Sequence, residues 1–358
     1  MSIPALELWT VHAPVVRHTV ATAVKAEADG WDGITFGDSQ NLVGDVYVEM
    51  ALAAAATSRI KLATWVTNPL TRHPATTASA AATLQVESQG RIEISIGRGD
   101  SALAHLGLAP APIAAFATYV EQVQLYLQGK DVPFSPASQA GAGFRSVGTL
   151  GLGVTPDASR LRWLPTDVPK VPLFVGATGP KVMTVGALLA DGVIVSVGAD
   201  RQRVEWAMDT IRSVARDDRK DPLVVGVHFP VAVHQDRAVA RKLVASKVAT
   251  HARFSIMNRT VAGPVTDKQR HQLETIRSAY DMNNHARHDT SQTAVLTDDI
   301  VDMYAIAGPP SYCIERLGEL AQLGFDKLLI NTAFPGTDPN AEEESRRRLV
   351  EEVLPALR

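Results

Sequence analysis

The chain has 358 residues, 46% of them hydrophobic and 20% charged, and its 35 Lys+Arg against 38 Asp+Glu leave a formal net charge of -3. That composition excludes a disordered or collagen-like chain, which would be poorer in aliphatic side chains or richer in Gly and Pro, and this length can bury a substantial core. With basic residues spread among acidic ones, there is no electrostatic reason to expect nucleic acid or an anionic membrane as a partner. Along the chain, short β-branched runs alternate with longer segments whose apolar residues recur at three and four, the pattern of successive strand-helix units. The first run is Leu6 to Val11, followed by a helix from about Val16 to Ala28 that Asp29-Gly30 closes. Gly33 to Gly37 is the second strand, a helix through Tyr47 to Met50 leads to the third at Lys61 to Thr67, and a helix from Pro74 to about Gln89 leads to the fourth at Ile92 to Ile96. After a helix around Ile113 to Leu127 comes a Gly/Ser/Pro-rich excursion, Pro133 through Pro156. The alternation resumes with strand five at Val171 to Val175, a helix at Pro180 to Leu189, strand six at Val193 to Val197 and a helix from about Arg201 to Ala215. Strand seven is Leu223 to Phe229; a polar, helical insertion from Asp236 to Ser291 and a helix near Ser311 to Leu323 precede strand eight at Lys327 to Ile330, and Glu342 to Leu354 closes the chain as a helix.

Eight strands, each followed by a helix, predict parallel pairing through right-handed crossovers, and the unbroken alternation favours an α/β fold of the closed (β/α)₈ barrel (TIM barrel) type over an open sheet. The whole chain, 1–358, reads as a single domain with insertions at about 130–165 and 236–295 lying over the mouth. Chemistry in such a barrel gathers at the C-terminal ends of the strands. Those ends carry Gly37-Asp38-Ser39-Gln40-Asn41, Thr67-Asn68-Pro69-Leu70-Thr71-Arg72-His73-Pro74, Gly97-Arg98-Gly99-Asp100-Ser101, Gly176-Ala177-Thr178-Gly179-Pro180-Lys181 and Ser196-Val197-Gly198-Ala199-Asp200. In the strand-five loop, glycines expose backbone N–H groups ahead of a helix that Pro180 opens, which predicts a phosphate site unless the segment is an ordinary tight turn. Gly97-Arg98-Gly99-Asp100-Ser101-Ala102 formally matches a dinucleotide fingerprint, but it follows the fourth strand and no acidic strand end follows it, so a nicotinamide site is not expected. Asp38 and Asp100 could face one another across the mouth or could be N-caps, and Glu7, inside strand one, is either an outward surface residue or a proton carrier.

The histidines show no ligand spacing on one element, with His73, His105 and His228 isolated, so no metal is assigned. The single cysteine, Cys313, cannot form an internal disulfide and lies in an ordinary helical pattern without a cation to activate it. The start Ser2-Ile3-Pro4 lacks a signal pattern and no apolar run spans a membrane, so a cytoplasmic location is expected.

The rim loops, together with Asp45-Val46-Tyr47, Ala190-Asp191-Gly192-Val193 and Ala307-Gly308-Pro309, resemble as an ordered set the bacterial-luciferase-like flavin and deazaflavin oxidoreductases, methylenetetrahydromethanopterin reductase above all. The resemblance implies a barrel that binds coenzyme F420, or FMN in sister branches, with the ring at the mouth. It puts Asp38 near ring and substrate, a cis peptide at Trp65-Val66 behind the ring, and Thr67 and Asn68 in the same wall. Gly176, Ala177, Thr178, Gly179 and Pro180 would surround the cofactor with Ser196 and Gly198, the Thr178-Gly179 pair meeting its phosphate. Asp100 and Glu7 would join Asp38 as active-site acids. Ser39 stands where the family often has His, and Trp65 is bulkier than the reductase's glycine-rich segment. The implied activity is hydride transfer between F420 and a C=N, C=C or C=O carbon of a small organic substrate, by a homodimer. An FMN-dependent monooxygenase and a non-catalytic flavin-binding protein are the alternatives.

Overall fold

The computed structural model describes residues 6–134, 145–215 and 221–358. Eight parallel strands form one sheet: β1 (Glu7–His12), β2 (Gly33–Phe36), β3 (Lys61–Thr64), β4 (Ile92–Ile96), β5 (Leu173–Ala177), β6 (Gly192–Val195), β7 (Val224–Val233) and β8 (Lys327–Asn331). They neighbour one another in chain order, and β8 pairs back onto β1, so the expected (β/α)₈ barrel is closed. Parallel neighbours need a crossover, which the helices Thr19–Ala28, Val46–Ala56, Pro74–Glu87, Ile113–Leu127, Pro180–Leu189, Arg201–Arg212 and Pro310–Ala321 supply. Their starts follow local chemistry: the Asp45 carboxylate accepts from the Tyr47 and Val48 N–H groups, and proline opens the helices at 74, 180 and 310.

Side chains alternate along each strand, so Leu8, Ile34, Leu62, Ile94 and Val175 pack outward under the helices while Trp9, Ala63, Phe174, Ile194 and Leu329 fill the interior. Gly33 gives Trp9 its room, since a Cβ there would lie 2.3 Å from the indole. Beneath this layer, at the N-terminal end of the strands, Lys327 Nζ lies 2.6 Å from both Glu93 carboxylate oxygens and 3.1 Å from Glu7. Lys61 Nζ donates to Glu7 Oε1 at 2.6 Å, and the Lys327 ammonium sits 4.5 Å from the centre of the Trp9 ring.

The departures from the sequence reading have physical causes. The first helix begins at Thr19, because Arg17 adopts a φ of 72° that breaks the preceding turn. β7 runs on to Val233, past the expected end, because a short strand, Ile306–Gly308, pairs with its last residues. Of the excursion, Val132–Pro133 and Ala158–Ser159 form a small antiparallel ladder, and residues 135–144 lie outside the described residues. The insertion folds into the helices Arg237–Ser255, Asp267–Ala279, Ser291–Ala294 and Asp298–Tyr304, which bury Leu243, Val244, Leu273, Ile276 and Tyr304 in a core of their own. No helix among the described residues is long and apolar enough to cross a membrane.

Candidate active site

Beyond β3 the peptide between Trp65 and Val66 is cis, at the position the resemblance gives it. The Val66 side chain is wedged between two glycines: a Cβ on Gly97 or on Gly176 would come within 2.7 Å of it. Gly176 thus makes room for the chain itself rather than for a ligand. Gly179, by contrast, faces open space, its nearest neighbour on adding a Cβ being Ala262 at 3.9 Å. Among the described residues the N–H groups of Thr178, Gly179 and Lys181 have no hydrogen-bond acceptor, and they sit at the start of the helix Pro180–Leu189. An open set of donors at the positive end of a helix suits an anion.

Next to the cis segment, Thr35 Oγ1, Asp38 Oδ2, Thr67 Oγ1 and Asn68 Nδ2 are buried without a hydrogen-bond partner. Asp38 is 8% exposed. Burial raises its pKa, Asp45 adds to the rise, and Thr67 and the Arg72 guanidinium offset it only in part. A cavity of about 430 Å³ opens beside it, lined by Asp38, Gln40, Asp45, Arg72 and His73 among others. The loops after β2 and β4 are tied together, Ser39 Oγ lying 3.2 Å from Ser101 Oγ and Gln40 Nε2 donating to the Ala102 carbonyl at 3.1 Å.

Two of the three expected acids are held in ion pairs. Glu7 is the first residue of β1 and therefore lies at the opposite end of the barrel from the mouth. Burial would raise its pKa, but Lys327, Lys61 and the Trp9 N–H overcome that and hold it at about 2, so it is a fixed carboxylate and not a mouth proton carrier. Asp100 follows β4 and precedes the short helix Ser101–Ala104. It forms an ion pair with Arg253, carried by the helix Arg237–Ser255, whose guanidinium also lies 4.9 Å from the centre of the Tyr280 ring.

The mouth contains a polar chain that sequence reasoning missed. Ser196 Oγ lies 2.8 Å from His228 Nδ1, and His228 Nε2 lies 2.7 Å from Asn331 Oδ1. Asn331 Oδ1 can only accept, so Nε2 carries the proton and Nδ1 accepts from the Ser196 hydroxyl. Burial drives the His228 pKa well below its ordinary value, with His251 adding to the effect, and the ring stays neutral. His228 packs edge-on against Trp65 with centroids 4.9 Å apart and against His251 at 4.7 Å. A signal existed in the period-two pattern: His228 and Asn331 share the inward parity of Gly226 and Leu329, which a plain packing position in a strand does not need to fill with polar groups. Cys313 is buried, its thiol pushed up to about 12 by burial, and its Sγ lies 3.4 Å from the Gly308 carbonyl oxygen. Among the described residues no group of three or more His, Cys, Asp or Glu is placed to hold a metal ion.

Comparison with known proteins adds the following. A family model described as luciferase-like monooxygenase matches residues 3–327. The chain is 28% identical over 342 residues to the 5,10-methylenetetrahydromethanopterin reductase of Archaeoglobus fulgidus, covering 93% of each chain. It is 25% identical to the F420-dependent glucose-6-phosphate dehydrogenase of Beutenbergia cavernae, covering 96% of this chain and 94% of that one. The solved coenzyme F420-dependent tetrahydromethanopterin reductase of Methanopyrus kandleri superposes with a TM-score of 0.73 at 23% identity, over 99% of this chain and 100% of the other, and so shares the fold. With the barrel, the cis segment and a family match over most of its length, the chain belongs to the luciferase-like monooxygenase family.

Proposed function

We propose that the protein is an F420-dependent oxidoreductase that moves a hydride between the deazaflavin and a C=N, C=C or C=O carbon of a small organic substrate. The observation that carries this reading is the set of buried, unpartnered polar atoms on Thr35, Asp38, Thr67 and Asn68 around the cis segment. Buried donors and acceptors without partners are costly, and the amide-like edge of a flavin or deazaflavin ring would satisfy them. The relatives named above, F420-dependent by name in the dehydrogenase of Beutenbergia cavernae, support the deazaflavin over FMN.

F420, when bound, supplies or takes the hydride at C5 of its ring. Val66, held by Gly97 and Gly176, would back one ring face, leaving the other toward the substrate. Thr178 and Gly179 would hold the phosphate through their open N–H groups, with Pro180 opening the helix behind them and Ala177, Ser196 and Gly198 closing that side. Asp38 is the acid in this assignment: with its pKa raised by burial, it can hold a proton at Oδ2 and deliver it to the substrate atom left negative by hydride addition, or take it in the reverse direction. His228, neutral and held at both nitrogens by Ser196 and Asn331, keeps Trp65 in place. The homodimer implied by the resemblance belongs to the same proposal and is tested by light scattering.

The experiment is titration of the purified protein with F420 and, separately, with FMN, following quenching of cofactor fluorescence. Saturable quenching of F420 with little or none of FMN is expected. FMN binding alone would replace hydride transfer with oxygen chemistry, and binding of neither would leave a non-catalytic role.

A further inference from the structure

The helix Arg237–Ser255 brings His251 against the mouth of the barrel. Its ring centroid lies 4.7 Å from that of His228. His228 in turn meets groups at the C-terminal ends of three strands: Trp65 beyond β3, with centroids 4.9 Å apart, Ser196 beyond β6, and Asn331, the last residue of β8. These contacts place His251 on the wall that includes Trp65 and its cis peptide with Val66. His251 is 3% exposed, and its Nδ1 is buried without a hydrogen-bond partner. The neighbouring rings cannot supply one. His228 has both nitrogens committed, to Ser196 and to Asn331, and Phe254, at 6.2 Å, carries no polar side-chain atom. Burial pushes the His251 pKa down to about 3, so the ring is neutral and each of its nitrogens is either a donor or an acceptor. Packing alone does not ask for an imidazole here, since a leucine or phenylalanine would fill the place with no polar atom to desolvate.

We propose that His251 Nδ1 hydrogen-bonds an oxygen or nitrogen atom of the substrate and is thereby a specificity-determining residue of the site. This deepens the reading given under Proposed function and rests on it for the reaction. Of the C=N, C=C and C=O compounds named there, it selects those that carry a heteroatom and discriminates against alkenes that carry none. A site built to pair a substrate hydroxyl, carbonyl or amine rejects the analogue without it, because the imidazole nitrogen is then buried against carbon. The role is separate from that of Asp38: the carboxyl carries the proton, and His251 orients the substrate without transferring one. Since His251 belongs to the insertion and not to a barrel strand, the inserted helix selects the substrate while the rim loops hold the cofactor.

The test is calorimetric titration of the protein, without cofactor, with benzyl alcohol and with its hydrocarbon isostere ethylbenzene, read as the ratio of the two affinities. His251→Asn keeps a polar atom in the place of Nδ1, His251→Gln puts it in the place of Nε2, and His251→Leu removes both. The ratio is expected to fall about tenfold in His251→Leu and in His251→Gln and to stay within about threefold of wild type in His251→Asn. A residue that only packs would not separate asparagine from glutamine, and that pair carries the comparison should the leucine variant fail to fold. An unchanged ratio in His251→Gln, an equal fall in His251→Asn and His251→Gln, or no binding of benzyl alcohol to wild type would each overturn the assignment. Since no F420 is present, loss of the cofactor reading leaves this result standing, and F420 quenching decides that reading whatever becomes of His251.

Discussion

Glu93 and Glu7, which share Lys327 as a partner, have their pKa values moved in opposite directions. Glu93 is 6% exposed and burial raises its pKa in spite of Lys327, whereas Glu7, reached by Lys327, Lys61 and the Trp9 N–H, is lowered to about 2. Removing one partner of a buried pair leaves the other charge stranded, so Glu93→Ala should cost about 3 to 5 kcal/mol in urea unfolding, with F420 quenching retained in the folded fraction. Glu7 has the depressed pKa of a group whose contribution is fully present above the ordinary 4.5 and is lost as pH falls toward 2. Glu7→Gln should therefore flatten the acid limb of a stability-pH curve over that window; an unchanged limb would refute the role. In the sequence Glu7 read as a surface residue or a proton carrier, because nothing local says which end of a barrel a strand residue occupies. Its lysine partners are 54 and 320 residues away along the chain. His228 was missed for the same reason, its partners lying 32 and 103 residues away.

Elements were legible where punctuation is local. The helices Ile113–Leu127 and Pro180–Leu189 have the bounds read from the sequence, the second opened by a proline that fits the first turn. β7 was cut short because its last residues pair with Ile306–Gly308, a strand too brief to show a period. The burial of unpartnered atoms on Asp38, Thr67 and Asn68 and the pairing of Asp100 with Arg253 are not legible locally, the latter because the helix bearing Arg253 falls in an insertion whose docking no local pattern encodes. The cis segment supplies an element-scale prediction. Gly176→Ala sets a Cβ 2.7 Å from Val66, so it should destabilise the protein by about 1 to 3 kcal/mol and weaken F420 quenching together. A variant with wild-type melting and weakened quenching would mean that Gly176 touches the ligand directly.

At the scale of the molecule, the insertion adds His251 and His285 to the barrel's His12 and His228, and burial depresses all four rings. Burial lowers His12 and His285 to about 4 and His251 to about 3, from an ordinary 6.5. A depressed histidine leaves stability constant above 6.5 and erodes it below, since the unfolded chain then takes up protons that the folded one refuses. Each such ring adds about 1.4 kcal/mol per pH unit, so stability should fall steeply between pH 6.5 and 4, and chemical denaturation across that range should show His251→Gln with a shallower slope.

The Glu7, Lys61, Glu93 and Lys327 network, with Trp9 and Phe174 stacked on it, blocks the barrel at the end away from the site. Traffic is therefore one-way in, one-way out. Whatever sits against the cis segment at Val66 must enter before the molecule that covers it and cannot leave until that molecule has gone. Steady-state kinetics should accordingly show compulsory order with the cofactor leading, and a bound substrate analogue should slow cofactor release in a stopped-flow chase.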